Sequence, residues 1–211
     1  MQPGMRRGRF FSFEGIDGSG KSTQARLLAE TLRAAGHEVA LTREPGGSPG
    51  AEEIRRLLLE GAVDRWSAET ELLLFTAARR DHLERTIRPA LDAGKMVISD
   101  RFVDSTRVYQ GVGRADLAGM VEELHRLAIG VEPDLTFLID IPPATGLARA
   151  RAREAGEMRF EDMGEAMQER MRAGFLALAA AAPDRIRVVD GDRPAGAIAA
   201  DVARLAAGAP A

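Results

Sequence analysis

The chain contains no cysteine among its 211 residues. This absence excludes disulfide bonds, a thiolate nucleophile and cysteine-ligated zinc or iron–sulfur sites. Its three histidines, His37, His82 and His125, are far apart in sequence and form no closely spaced pair. The sequence therefore gives no support for a histidine metal site.

Long apolar segments are also missing. The longest, residues 175–182, is about half a bilayer span or less, so we expect no transmembrane helix. Arg6, Arg7 and Arg9 near the start are not followed by an apolar region, so we expect no signal peptide and a cytoplasmic protein. A net charge of −3 argues against a globally basic nucleic-acid-binding protein. We therefore expect neither a nucleic-acid nor a membrane partner.

Short apolar segments alternate with longer stretches of helical periodicity, as expected for one compact domain spanning residues 1–211. Strands are predicted at 9–14, 37–42, 95–99, 135–141 and 185–189. Helices are predicted at 21–35, 51–60, 67–93, 144–153, 160–181 and 195–207, the third interrupted near Pro89, with further helical segments between 101 and 130. This order predicts a mostly parallel sheet with helices on both faces and with ligand sites beyond the carboxyl ends of the strands.

The first predicted strand is followed by the sequence GIDGSGKS at 15–22, which matches the phosphate-loop pattern G-x-x-x-x-G-K-S. In such a loop the backbone N–H groups turn towards an anion, Lys21 reaches the terminal phosphates and the Ser22 hydroxyl ligates Mg²⁺. The position between an apolar strand and an amphipathic helix favours this interpretation over an ordinary glycine-rich turn.

Charged residues also follow the second and third predicted strands. Asp100 could hold Mg²⁺ or its water, and Arg101 could clamp a second phosphate, although a surface ion pair would give the same pattern. Arg43 lies beside the turn-forming sequence Pro45-Gly46-Gly47. This turn is certain from its composition, whereas a binding role for Arg43 is open.

Phe75 and Arg79 stand four residues apart on one predicted helix face, where a ring could stack on a base and a guanidinium could bind its carbonyl. The apolar residues 72–74 beside Phe75 favour a core position when this pair is considered alone. Further along, four polar side chains suit sugar and base edges but would equally suit a solvated helix: Ser105, Thr106, Tyr109 and Gln110.

Arginines cluster around residues 149–160, a segment that contains Gly156 and that we interpret as a short lid. Arg149 and Arg153 share a helix face, Arg151 lies on the other side, and Arg159 follows the glycine. Arginine-rich lids supply positive charge and exclude water in phosphoryl transfer. A charged surface helix balanced by nearby acidic residues is the alternative.

Several segments together resemble bacterial thymidylate kinases, in the right order. They are FEGIDGSGKS at 13–22, TREPGG at 42–47, LFTAAR at 74–79, DR at 100–101 and YQG at 109–111. The resemblance runs from about residue 9 to residue 189, and TREPGG with the F-x-x-x-R spacing makes it specific. It implies an α/β P-loop kinase fold, ATP-dependent phosphorylation of dTMP to dTDP, Mg²⁺ as cofactor and a homodimer.

The motifs and the resemblance together give each candidate residue an expected role. ATP would be bound by Gly15, Ile16, Asp17, Gly18, Ser19, Gly20, Lys21 and Ser22, and Mg²⁺ by Ser22 and Asp100. Residues implied to bind dTMP are Asp17, Arg43, Pro45, Phe75, Arg79, Arg101, Ser105, Thr106, Tyr109 and Gln110. Catalytic charge would come from Lys21, Arg101, Arg149, Arg153 and Arg159.

Within this set, Phe75 would stack on thymine, Arg79 would bind a thymine carbonyl, and Tyr109 would block a 2′-hydroxyl. Ser19 stands where some members of the family carry an arginine inside the phosphate loop. The missing positive charge is then expected from the lid.

The chemistry of the acceptor separates this function from two alternatives. A phosphate monoester is largely anionic at neutral pH, so its attack on ATP needs charge neutralisation rather than a strong base. A kinase acting on a nucleoside hydroxyl would need a carboxylate base, for which Glu14 or Asp17 could serve. A nucleotide-dependent switch would need a guanine-reading N/T-K-x-D segment, which the sequence lacks.

Overall fold

The computed structural model describes residues 7–62, 64–114, 117–151 and 164–208. Its centre is a five-stranded sheet with strand order β2-β3-β1-β4-β5, in which every neighbouring pair is parallel. The strands are β1 (Phe10–Glu14), β2 (Val39–Arg43), β3 (Met96–Asp100), β4 (Leu135–Asp140) and β5 (Ile186–Asp190). The predicted parallel α/β sheet is thereby confirmed. Arg43, expected in the loop after the second strand, is the last residue of β2, because it continues the ladder opposite Asp100.

Helices connect the strands and cover both faces of the sheet. They are α1 (Lys21–Ala34), α2 (Pro49–Leu59), α3 (Ala68–His82), α4 (Arg88–Asp92), α5 (Val103–Val108), α6 (Ala118–Leu124), α7 (Pro143–Arg151), α8 (Glu165–Ala181) and α9 (Ala195–Gly208). Single π-helical turns extend three of them, at Leu83–Ile87, Tyr109–Arg114 and His125–Ile129. Within the part of the chain that is described, no helix is both long enough and apolar enough to cross a membrane.

The predicted interruption near Pro89 takes the form of the π-helical turn at Leu83–Ile87, which joins α3 to α4. Pro89 follows in the first turn of α4, where a missing N–H costs little. The π-helical turn is wider than an α-helical turn and accommodates the proline ring, so α3 continues into α4 as one helical segment.

Alternation along β1 assigns its side chains to the two faces of the sheet. Phe11 and Phe13 pack with α1 and α9, whereas Phe10 packs with α4, the π-helical turn that precedes it and the start of α5. Ser12 and Glu14 share the face of Phe10, and all five β1 residues are buried. A central parallel strand buried on both sides explains why this segment is apolar except for one serine and one glutamate.

Candidate active site

A cavity of about 440 Å³ opens at the carboxyl ends of β2 and β3, beside the start of α1. It is lined by many of the residues singled out in the sequence: Lys21, Ser22, Arg43, Pro45, Phe75, Arg79, Asp100, Arg101, Ser105, Thr106, Tyr109 and Gln110. The sequence did not single out Glu44, Arg55, Leu59 and Phe102, which also line it. The ends of β2 and β3, the turns that follow them and the helices α1, α2, α3 and α5 thus contribute to one crevice, as expected at the carboxyl edge of a parallel sheet.

The phosphate loop is wedged between the sheet and α7. Gly18 has φ +78°, and a Cβ added there would collide with the Gly146 carbonyl of α7. The buried Lys21 ammonium donates to the Ile16 carbonyl at 3.2 Å and lies 3.7 Å from Asp17 Oδ1. Burial lowers the pKa of Lys21, and the neighbouring positive charge of Arg101 lowers it further. An anion in this loop would therefore relieve an unfavourable positive environment.

Arg101, in the turn that follows β3, also reaches the phosphate loop. Its Nη2 donates to Asp17 Oδ1 at 2.6 Å, its Nη1 donates to Ser105 Oγ at 3.0 Å, and its guanidinium lies 5.1 Å from the centre of the Tyr109 ring. Burial alone would raise the pKa of Asp17, but the positive charges of Arg101 and Lys21 outweigh burial and lower it. Asp17 is consequently a carboxylate held between two cations.

The backbone at Arg101 is strained, because its φ of +71° lies in the left-handed region. Glu14 supports this turn: its Oε1 accepts the Phe102 N–H at 2.7 Å, and its Oε2 accepts the Ser105 hydroxyl at 2.5 Å. Burial, reinforced by the negative charge of Asp104, raises the pKa of Glu14 to about 7. Glu14 therefore holds the turn that carries Arg101.

Sequence reasoning considered Glu14 only as a base for a hydroxyl acceptor. Among the residues that the structure describes, however, Glu14 is not part of the cavity lining, and its carboxyl group is occupied by the turn. A charged residue inside an apolar central strand was the available sequence signal, but its partners lie 88 and 91 positions away.

On the other side of the cavity, Phe75 is half-buried and lines the crevice, so it does not belong to the closed core. Arg79 is 4% exposed, and its Nη2 donates to Thr106 Oγ1 at 2.9 Å. Gln110 Nε2 donates to Glu71 Oε1 at 3.2 Å in the same region. A ring, a guanidinium and an amide therefore share one end of the cavity.

The arginines proposed for the lid have different positions. Arg149 lies on α7 and donates to Gly191 O and Asp192 Oδ1, both at 3.2 Å, after β5. It is absent from the cavity lining as far as the chain is described. Arg153 and Arg159 lie outside the described residues. Arg43 does line the cavity, but it is largely exposed and pairs with Glu52 at 3.2 Å.

Comparison with known proteins gives consistent matches over nearly the whole chain. A family model described as thymidylate kinase matches residues 13–202. The thymidylate kinase of Ruegeria pomeroyi is 69% identical over 198 residues, which are 94% of each chain. That of Caulobacter vibrioides is 54% identical over 199 residues, 94% of this chain and 95% of the relative. The crystal structure of thymidylate kinase from Ehrlichia chaffeensis is similar with a TM-score of 0.77 and 37% identity, covering 95% of this chain and 99% of the other.

Proposed function

Because the chain belongs to the thymidylate kinase family and uses ATP to phosphorylate dTMP to dTDP, a step that supplies dTTP, we propose that its cavity binds dTMP and its phosphate loop binds ATP. One observation carries this assignment. Lys21 Nζ and Arg101 Nη2 both lie close to the same carboxylate oxygen, Asp17 Oδ1, at 3.7 and 2.6 Å. Two phosphorylated substrates bound to these cations would meet at Asp17.

The cavity supports a specific orientation of dTMP. We assign the acceptor phosphate to Arg101 and Arg43, and the thymine ring to Phe75 and Arg79 at the other end. Between them, Tyr109 donates to Asp17 Oδ2 at 3.4 Å, which would place both near the deoxyribose. Thr106 and Gln110 are assigned to the base end, Ser105 to the part of the dTMP site beside Arg101, and Pro45 shapes the wall.

Mg²⁺ fits the donor atoms at the phosphate end. Asp100 Oδ1 is buried and has no hydrogen-bond partner among the described residues, and the Ser22 side chain lines the cavity nearby. Carboxylate and hydroxyl oxygens are suitable ligands for this ion when phosphate oxygens complete its coordination. When bound, Mg²⁺ would neutralise charge on the transferring phosphates.

The chain's own residues contribute to phosphoryl transfer mainly by neutralising charge. The acceptor oxygen is already anionic at neutral pH, so no side chain has to remove a proton from it. Lys21 and Arg101 neutralise the converging phosphates and hold them in line, and this positioning is the main requirement of phosphoryl transfer. We assign the additional positive charge to Arg149, Arg153 and Arg159 in a lid at about 149–160.

We further propose a cytoplasmic homodimer in which residues 1–211 act as one kinase domain. Leu57 on α2 and Leu73 on α3 are 39% and 49% exposed, on helices that pack against each other. Two such helices, each with an exposed leucine, would suit packing between subunits.

A coupled ADP-release assay tests the proposed acceptor. The enzyme is supplied with ATP, Mg²⁺ and either dTMP, dUMP, dCMP, dGMP, thymidine or no acceptor. We expect turnover to be fastest with dTMP. Turnover with thymidine but not with dTMP would instead support a hydroxyl acceptor, and ATP hydrolysis indifferent to every acceptor would support a nucleotide switch.

Two substitutions test the convergence of cations. Lys21→Ala and Arg101→Asn should each reduce kcat at least a hundredfold without unfolding the protein. Asparagine is chosen because it tolerates the left-handed backbone found at position 101. Arg26→Ala, which removes an exposed ion pair with Glu30 on α1, is the control and should leave the rate unchanged. A near-normal rate in either test variant would refute the role assigned to that residue.

A further inference from the structure

His82 is a buried imidazole for which the reaction described above has no use. It lies at the end of α3 with no exposed surface. Its Nδ1 is 3.0 Å from Glu44 Oε1, and its Nε2 is 2.7 Å from Thr42 Oγ1. Because a carboxylate only accepts hydrogen bonds, Nδ1 must be the donor to Glu44. Both ring nitrogens therefore contact residues 42–44, which are the last two residues of β2 and the residue that follows it.

The backbone of that segment is adapted to the imidazole. Thr42 and Glu44 are two residues apart in extended chain, so their side chains point the same way, towards α3. Gly47 has φ +86°, and a Cβ added there would collide with His82 Nε2 and Thr42 Oγ1. The glycine thus leaves room for the contact between Thr42 and His82.

Glu44 connects His82 to the base end of the cavity. Its second oxygen, Oε2, accepts a hydrogen bond from Arg79 Nε at 2.7 Å. His82 and Arg79 stand three residues apart on α3, so one carboxylate bridges two neighbouring side chains of the same helix. Burial would raise the pKa of Glu44, but Arg79 and His82 outweigh burial and lower it. The bridge is therefore made by a carboxylate.

Arg79 is held in one orientation by this bridge and by Phe102 and Thr106. Its Nη2 donates to Thr106 Oγ1 at 2.9 Å and to Phe102 O at 3.3 Å, and its guanidinium lies 5.2 Å from the centre of the Phe102 ring. The hydrogen bonds of Arg79 within the described ranges come from Nε and Nη2, and Nη1 donates to none of these residues. The plane of the guanidinium is thus fixed, and one nitrogen remains for a ligand in the cavity that Arg79 lines.

We propose that His82 is a positioning residue for recognition of the nucleobase, acting through Glu44 on Arg79. This inference rests on the proposed contact between Arg79 and the base. Without the Nδ1 donor, one oxygen of the buried carboxylate loses its partner, and rotation of Glu44 towards another donor would shift the Arg79 guanidinium. The consequence would be weaker binding of dTMP, with little effect on the chemical step.

Two substitutions separate this role from a merely structural one. The amide nitrogen of asparagine can occupy nearly the position of Nδ1, so His82→Asn keeps the contact with Glu44 and loses the contact with Thr42. The amide of glutamine instead reaches the position of Nε2, so His82→Gln keeps the contact with Thr42 and loses that with Glu44. Asparagine is also smaller than glutamine and leaves a larger cavity. We therefore expect His82→Asn to be the less stable variant and yet to bind dTMP more tightly than His82→Gln.

The experiment measures KM for dTMP, KM for ATP and kcat of the full chain, together with urea denaturation of every variant. His82→Gln should raise KM for dTMP about tenfold, as expected for loss of a hydrogen bond to a charged group, with KM for ATP and kcat within about twofold of wild type. His82→Asn should stay within about threefold of wild type in KM for dTMP although it is less stable. Equal effects of the two substitutions on KM for dTMP would overturn the proposal.

A double-mutant cycle with Arg79→Ala shows whether a negative result contradicts the positioning role of His82 or the proposed contact between Arg79 and the base. If His82 acts through Arg79, adding His82→Gln to Arg79→Ala should change KM for dTMP by less than about twofold. A full tenfold effect in that background would show that His82 acts independently, which refutes the positioning role alone. If Arg79→Ala by itself left KM for dTMP unchanged, the proposed base contact would be wrong, and the role of His82 would fall with it.

Discussion

Replacing Glu14 with glutamine tests how the turn that carries Arg101 is supported. Glu14 is 1% exposed and has a pKa raised to about 7 by burial and by the charge of Asp104. Glutamine has nearly the same shape, its oxygen can still accept from the Phe102 N–H, and its NH₂ group can donate to Ser105 Oγ. Glu14→Gln therefore removes the ionisation and retains most of the contacts.

The size of the effect follows from the two pKa values. The folded value of about 7 lies above the ordinary value of 4.5, so between these pH values the folded chain binds more protons than the unfolded chain. Stability from this group is then present at low pH and lost as the pH rises through 7. Linkage gives a loss of about 2.5 kcal/mol in the free energy of unfolding between pH 5 and pH 8.

Urea denaturation followed by far-UV circular dichroism at pH 5, 6, 7 and 8 measures this loss. The free energy of unfolding of Glu14→Gln, relative to wild type, should rise by about 2.5 kcal/mol from pH 5 to pH 8, because the other titrating groups are common to both proteins. Glu30→Gln removes an exposed carboxylate on α1, and its difference from wild type should vary by less than about 0.5 kcal/mol. A difference between Glu14→Gln and wild type that is independent of pH would refute the reasoning.

Three further predictions concern the cavity and its walls. Phe75→Ala should raise KM for dTMP and leave KM for ATP unchanged in steady-state assays; an unchanged KM for dTMP would assign Phe75 a packing role only. Asp100→Asn should raise the Mg²⁺ concentration needed for half-maximal rate, and an unaltered Mg²⁺ titration would remove Asp100 from the metal site. Gly47→Ala should lower the free energy of unfolding in urea by about 2 kcal/mol or more, because its Cβ would collide with His82 and its φ is positive. The control Gly119→Ala, which has open space on α6, should be neutral or stabilising, and equal losses in both would contradict the steric argument.

The strands could be predicted because a buried strand has a short, apolar local sequence. A central parallel strand such as β1 is covered on both faces and reads as a short apolar segment, whereas its flanking helices have the wider helical period. Strand ends were less predictable. Arg43 belongs to β2 because it continues the ladder opposite Asp100, and local sequence gives no information about a neighbouring strand.

The phosphate loop was equally visible, because its glycines, lysine and serine lie within eight consecutive residues and act largely through their own backbone. The role of Phe75 could not be decided in the same way. A phenylalanine beside three leucines suits a core or a cavity wall equally well, and only the packing of α3 against its neighbours leaves this ring half-buried in the crevice.

The amino-acid sequence alone determined the parallel sheet, the anion-binding loop and the family, since each depends on short segments read in order. Tertiary structure alone decided which polar side chains support the site. Glu14 meets Ser105, and Glu44 meets His82 and Arg79, across long stretches of chain. Buried polar groups must find partners wherever the fold brings them together, and that choice depends on distances that no local pattern contains.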